Sequence, residues 1–258
     1  MRIALTVEYD GTHYCGWQIQ RRDPSVQAVL QGALSRVADE SISVVCAGRT
    51  DTGVHAVGQV VHFDTNVNRP EKAWTMGTNS FLPPDVSVKG VTLVPDTFSA
   101  RYSAISRSYR YVIQNGPNRS AMLAKRAAWI HQPLNLKAMH RGAEYLIGEH
   151  DFSAFRAAGC QAKSPIRDIT RLTICRKREC VYLDIDANAF LHNMIRIMVG
   201  SLIKVGKGEE SPDWIKALLD GRDRTQSGMT APAHGLVFVG PRYAPEYNIE
   251  PVKNKPEY

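Results

Sequence analysis

The chain has 258 residues, 43% of them apolar, which is enough to bury one large core or two modest ones and marks an ordinary globular protein. The five cysteines (Cys15, Cys46, Cys160, Cys175 and Cys180) are odd in number and contain no C-x-x-C pair, so they spell out neither a disulfide framework nor a zinc knuckle and point to a reducing cytosol. The net charge of +7 raises the question of where the excess sits.

In chain order, "RIALTVEYDG" opens as a strand in which Ile3, Leu5, Val7 and Tyr9 alternate, which leaves no room for a signal peptide. Asp23 is expected to cap a helix with Pro24 in its first turn and Val26, Val29, Leu30, Ala33, Leu34 and Val37 on one face. "ISVVC" reads as a strand entering the loop "AGRTDTGVHA" (residues 47–56), and "VGQVVHFDT" as the strand leaving it, so Asp51 lies on a strand-to-strand excursion. Pro70 opens a helix that ends before Pro83 and Pro84. "VSVKGVTLV" and "RSYRYVIQN" read as strands, the latter with Tyr109, Tyr111 and Ile113 on one face.

Further on, a helix is predicted over Leu136–Ile147, then strands at "ITRLTICR" and "VYLDIDAN". An apolar helix starts at Ala189, a shorter one spans Trp214–Leu219 with Gly221 as terminator, and "GLVFVGPRY" is the last strand. The 189–206 stretch contains His192, Arg196 and Lys204 and so is not expected to cross a bilayer. This order predicts an α+β protein of two similar lobes, 1–100 and 101–243, with mostly antiparallel sheets flanked by helices. The Pro-rich polar residues 244–258 are expected to form a disordered tail.

The charge is segregated. Residues 97–178 hold fifteen bases against four acids, and between Thr97 and Ala143 there is no acid at all. Such a block suits a polyanion, because Lys and Arg release counterions from each phosphate they neutralise. Tyr102, Tyr109, Tyr111, Phe152 and Phe155 lie within it, and aromatics among bases favour unstacked nucleotides over a merely solvated basic face. Arg107 and Arg110 are the block's candidates for contacts to substrate phosphates.

Two residues stand out chemically. Arg196 falls on a narrow stripe with Ala189, His192, Asn193 and Gly200 on a helix whose other side (Met194, Ile197, Met198, Leu202, Val205) is apolar, so its guanidinium requires a partner. Either a core ion pair or a site role would supply one. Asp51, followed by Thr52 and Gly53, has the pattern that most often marks a turn residue bonding its own backbone. The eight histidines lack ligand spacing, and no G-x-S-x-G elbow, Walker loop or dinucleotide fingerprint is present, so metal hydrolysis, acyl transfer, NTP use and hydride transfer have no signal.

"AGRTDTGVHA" resembles the catalytic signature of the tRNA pseudouridine synthase A family. The similarity extends through "EYDGTHYCGWQIQ", "SARYSAISRSYRYVI", "GEHDFSAFRAAGC", "ANAFLHNMIRIMVGSL" and "APAHGLVFV", from about Arg2 to Tyr243. Thr52 stands where many members carry a small apolar residue, and "GLVF" replaces a commoner Gly-Leu-Tyr-Leu. The resemblance implies the pseudouridine synthase fold, with its active-site cleft between the lobes. It also implies isomerisation of uridine to pseudouridine at positions 38, 39 and 40 in the anticodon arm of tRNA, by a cytoplasmic homodimer that uses neither cofactor nor metal. Residue by residue, Asp51 falls at the catalytic aspartate, Tyr109 at the tyrosine stacked on the target base, Arg196 at the basic partner of the aspartate and Arg49 at the arginine that helps extrude the nucleotide. Two other classes compete: a non-catalytic RNA-binding protein, which needs the basic block alone, and a nucleoside glycosidase, which would release free uracil.

Overall fold

The structure is a computed structural model that describes residues 1–258. In chain order the main elements are β1 (Arg2–Tyr9), α1 (Val26–Ala38), β2 (Val45–Cys46), β3 (His55–Asp64), β4 (Val86–Val94), β5 (Ser106–Asn115) and β6 (Ala128–Ile130). They continue as α2 (Leu136–Glu144), β7 (Gly148–Asp151), β8 (Ile166–Lys177), β9 (Cys180–Ala187), α3 (Met194–Lys207), α4 (Asp213–Gly221) and β10 (Leu236–Arg242). The fold class is α+β, as the element order predicts. The chain divides into two compact units, Met1–Arg107 with Val237–Glu257, and Ser108–Leu236 with Tyr258. The expected split at 100 and 101 therefore shifts by a few residues, and the stretch from 237 returns to the first unit because β10 pairs in parallel with β3, Val237 opposite His55.

In the first unit β1 lies between β3 and β4, antiparallel to both, with Leu5 opposite Val61 on one side and Val91 on the other. Val26, Leu30, Ala33 and Leu34 of α1 are buried as its periodicity requires. Trp74 stands edge-on to Phe63 at 5.3 Å, and Trp17 lies 5.8 Å from Tyr9. The helix expected after Pro70 forms over residues 71–79 and contains a π turn at Ala73–Gly77.

Two local expectations are corrected. Ser25, not Asp23, caps α1, accepting from the Ala28 amide at 3.4 Å. Of "ISVVC" only Val45–Cys46 is strand, because the Ile42 amide bonds Ser35 Oγ (2.9 Å) and the Val44 amide bonds Gln31 Oε1 (3.0 Å), both side chains of α1. The tail is tied down in part: the Tyr247 ring packs on Phe98 at 4.9 Å, and the Tyr258 amide donates to Tyr182 Oη at 2.8 Å in the second unit.

In the second unit the strand order is β5-β9-β8-β7, with β6 parallel to β5 and α2 packed on β8, α3 and α4. The buried residues of β8 run Ile169, Leu172, Ile174 because a register shift against β9 between Ile169 and Arg171 changes which parity faces inward. The apolar helix starts at Met194 and not at Ala189: Asn193 is left-handed (φ 58°), a conformation no α-helix continues through. Arg222, also left-handed, follows α4, so Gly221 is its last residue and not its terminator. No helix is long and apolar enough to cross a membrane.

Candidate active-site residues

The 47–54 loop is built by main-chain and buried polar contacts. The Val54 amide donates to the Asp51 carbonyl at 3.1 Å, and Gly53 adopts φ +78°, the value a type II turn asks of its third residue. The closing bond of the turn is thus main chain to main chain. Asp51 is half-buried and Arg49 exposed.

The segment "YDGTHYCGW" forms the loop's seat. Trp17 N donates to Thr50 O at 3.0 Å, Gly53 N to Tyr14 O at 3.4 Å, and the Tyr9 hydroxyl and Thr50 Oγ1 share a 2.8 Å hydrogen bond. Burial pushes the Tyr9 hydroxyl far above its ordinary range, so it stays protonated and serves as a strut. Glycine is required at two points of this seat. A Cβ on Gly11 would meet Val54 O at 2.0 Å, and one on Gly16, at φ +90°, would meet Thr50 O at 2.7 Å.

On the other flank fully buried Gln59 donates to the Gly48 carbonyl at 2.5 Å and accepts from its amide at 3.4 Å. The Gly11 amide donates to Nδ1 of buried His55 at 3.1 Å. Burial raises the Cys46 thiol to about 11 although Arg49 and Arg101 pull it down, so this cysteine beside the loop is a neutral thiol and no nucleophile. Tyr9, Gly11, Gly16 and Gln59 were absent from the sequence-based candidates; the "EYDGTHYCGW" motif signalled the first three, and nothing signalled Gln59.

Arg107 belongs to the same unit and directs its guanidinium at main-chain carbonyls. Nε and Nη2 each reach Ala47 O at 3.3 Å, Nη1 reaches Ala104 O at 3.3 Å and Nη2 reaches Arg101 O at 2.5 Å. It braces the start of the Asp51 loop.

The second unit holds Tyr109, Arg110 and Arg196. Tyr109 is 8% exposed, its ring edge-on to Phe190 at 5.1 Å. The Arg196 side chain donates from Nε to Ala231 O (2.7 Å) and from Nη1 to Asn193 Oδ1 (2.8 Å), while its carbonyl accepts from the Ala231 amide (3.0 Å). The 228–235 segment lies close along α3: a Cβ on Gly200 would meet Met229 O at 1.8 Å, and the Tyr111 hydroxyl donates to Pro232 O at 2.8 Å. The "APAHG" motif therefore fixes the Arg196 side chain from the C-terminal side. Ala189 and His192 lie outside the helix, so of the expected stripe only Arg196 and Gly200 are helical.

Arg110 is corrected as a phosphate contact. It is 6% exposed and bidentate on Asp184, Nε to Oδ1 at 2.8 Å and Nη2 to Oδ2 at 2.9 Å, with its guanidinium 4.8 Å from the Tyr182 ring centroid. Its charge is spent inside the protein.

The family model described as tRNA pseudouridine synthase matches residues 5–103 and 143–244, spans that contain both Asp51 and Arg196. A tRNA pseudouridine synthase A of Hydrogenovibrio crunogenus is 52% identical over 96% of this chain and 94% of its own length. One of Vibrio parahaemolyticus is 53% identical over 96% and 94%. Among solved structures, the archaeal box H/ACA sRNP Nop10–Cbf5 complex aligns with 95% of this chain and 49% of that one at 9% identity and a TM-score of 0.41, a likeness too slight to build on. The chain belongs to the tRNA pseudouridine synthase family.

Proposed function

We propose that this protein isomerises uridine to pseudouridine at positions 38, 39 and 40 in the anticodon stem-loop of tRNA, with Asp51 as the catalytic carboxylate. The carrying observation is that Asp51 sits half-buried at the head of a turn whose closing bond is main chain to main chain, in a loop seated by four buried or glycine-dependent contacts, within a chain of this family. Detaching uracil builds positive charge at C1′, as in glycoside cleavage, and an ionised carboxylate stabilises or captures it. Uracil is then held, turned and rejoined through C5.

Tyr109 supplies an aromatic wall for the turning base, Arg196 keeps Asp51 ionised, and exposed Arg49 assists in extruding the nucleotide, which must leave its stack to react. Arg107 serves by holding the loop. Because the product is an isomer of the substrate, no co-substrate is consumed; the enzyme works without cofactor or metal, as a homodimer in the cytoplasm.

The test is incubation with unmodified tRNA transcript and mapping of pseudouridine. Modification within 38–40 is expected. Tritium release from [5-³H]uridine tRNA that fails to occur despite binding would assign a non-catalytic RNA-binding role, and free uracil would assign a glycosidase.

A further inference from the structure

Tyr102 is the most exposed tyrosine among the large side chains at the surface, 79% accessible, yet it stands on a tightly held turn. Ser103 N bonds Ser99 O at 2.9 Å, Ser99 N bonds Ser103 Oγ at 3.0 Å and Tyr102 N bonds Ser99 Oγ at 3.3 Å. Below it, the Ala100 amide donates to His62 Nδ1 at 3.0 Å and its carbonyl accepts from the Tyr243 hydroxyl at 2.6 Å. The backbone of the turn is fixed while the ring is presented to solvent.

Three further observations connect this ring to RNA. The Arg101 guanidinium lies 5.2 Å from the Tyr102 ring centroid, so the aromatic face is backed by a cation. The turn opens the acid-free stretch of the chain, Thr97 to Ala143. And Arg107 bonds the carbonyls of Arg101, Ala104 and Ala47, joining the turn to the first residue of the Asp51 loop.

We propose that Tyr102, backed by Arg101, is a stacking platform for one unpaired nucleobase of the tRNA close to the reacting nucleotide. An aromatic face accepts any base, so the platform adds affinity and holds the strand open without reading sequence. Its location at the reacting nucleotide rests on the assignment of the 47–54 loop to catalysis; the stacking itself does not.

The experiment measures affinity for unmodified tRNA transcript in the full-length Asp51→Asn background, alone and with Tyr102→Ala, Tyr102→Phe or Arg101→Gln added. Tyr102→Ala is expected to raise Kd about tenfold, by the same factor at low and high salt, because stacking releases few counterions. Tyr102→Phe keeps the ring and restores most of the affinity. Arg101→Gln weakens binding less, and its effect fades with salt. Unchanged affinity in Tyr102→Ala overturns the proposal, and unchanged affinity with an altered oligomeric state in sedimentation assigns the ring to a subunit contact instead. Failure of the catalytic assignment registers separately, as pseudouridine formed by Asp51→Asn itself.

Discussion

Two arginines six and nine residues beyond Arg101 differ in what surrounds their guanidiniums. Arg107 is half-buried and donates to carbonyls, whereas Arg110 is buried against a carboxylate 74 residues away in sequence. Removing one member of a buried pair leaves an uncompensated charge, so Arg110→Gln is expected to cost about 3–5 kcal/mol in denaturant unfolding. The slope of log affinity against log salt for tRNA should not change in that variant, since the Arg110 guanidinium is buried on Asp184; a flattened slope would return it to the RNA surface. The count of bases along the chain showed the charge block but could not separate these two residues, because burial and the Asp184 partner are set by the pairing of distant strands. Asp51 and its loop, by contrast, were legible as a motif, since the residues that make the turn are contiguous.

At the level of elements, the seat of the loop is a place where two backbones touch. Gly11→Ala brings a methyl against Val54 O, whose distance from an ideal Cβ is 2.0 Å, and backbone cannot yield as a side-chain tip can. The expected loss is about 1–3 kcal/mol of stability, accompanied by a fall in single-turnover rate larger than any fall in tRNA affinity. Equal loss of rate and affinity would mean the seat supports the whole unit and not the loop in particular.

Most strands were readable from alternation, and β4 was predicted to the residue because both its ends are marked, by Pro83–Pro84 and Pro95. The misplaced boundaries share a cause. Asn193 stops α3 by a left-handed backbone, and Ser35 and Gln31 take the amides that "ISVV" would have given a neighbouring strand. In each case one residue's conformation or one side-chain bond overrode a correct apolar pattern.

For the whole molecule, the segregated charge predicts a steep salt dependence of tRNA binding. Arg119 and Lys125 are exposed members of the basic block. Replacing both with Gln should reduce the salt slope by about one for each charge that meets a phosphate and weaken binding evenly across tRNAs. An unaltered slope would place the RNA on another face. Chelation should leave activity intact when tRNA folding is controlled, since the histidines lack the spacing of a metal-ligand set. The catalytic role of Asp51 is tested most directly by pseudouridine formation in Asp51→Asn, with folding and tRNA affinity measured on the same preparation. The amide keeps the carboxylate's size, and the turn is closed by the Val54 amide and Asp51 carbonyl in either case. With Asp51 as the catalytic carboxylate, the variant folds, binds tRNA and forms no pseudouridine above background. Substantial isomerase activity in the folded variant would contradict it and leave Asp51 a turn residue.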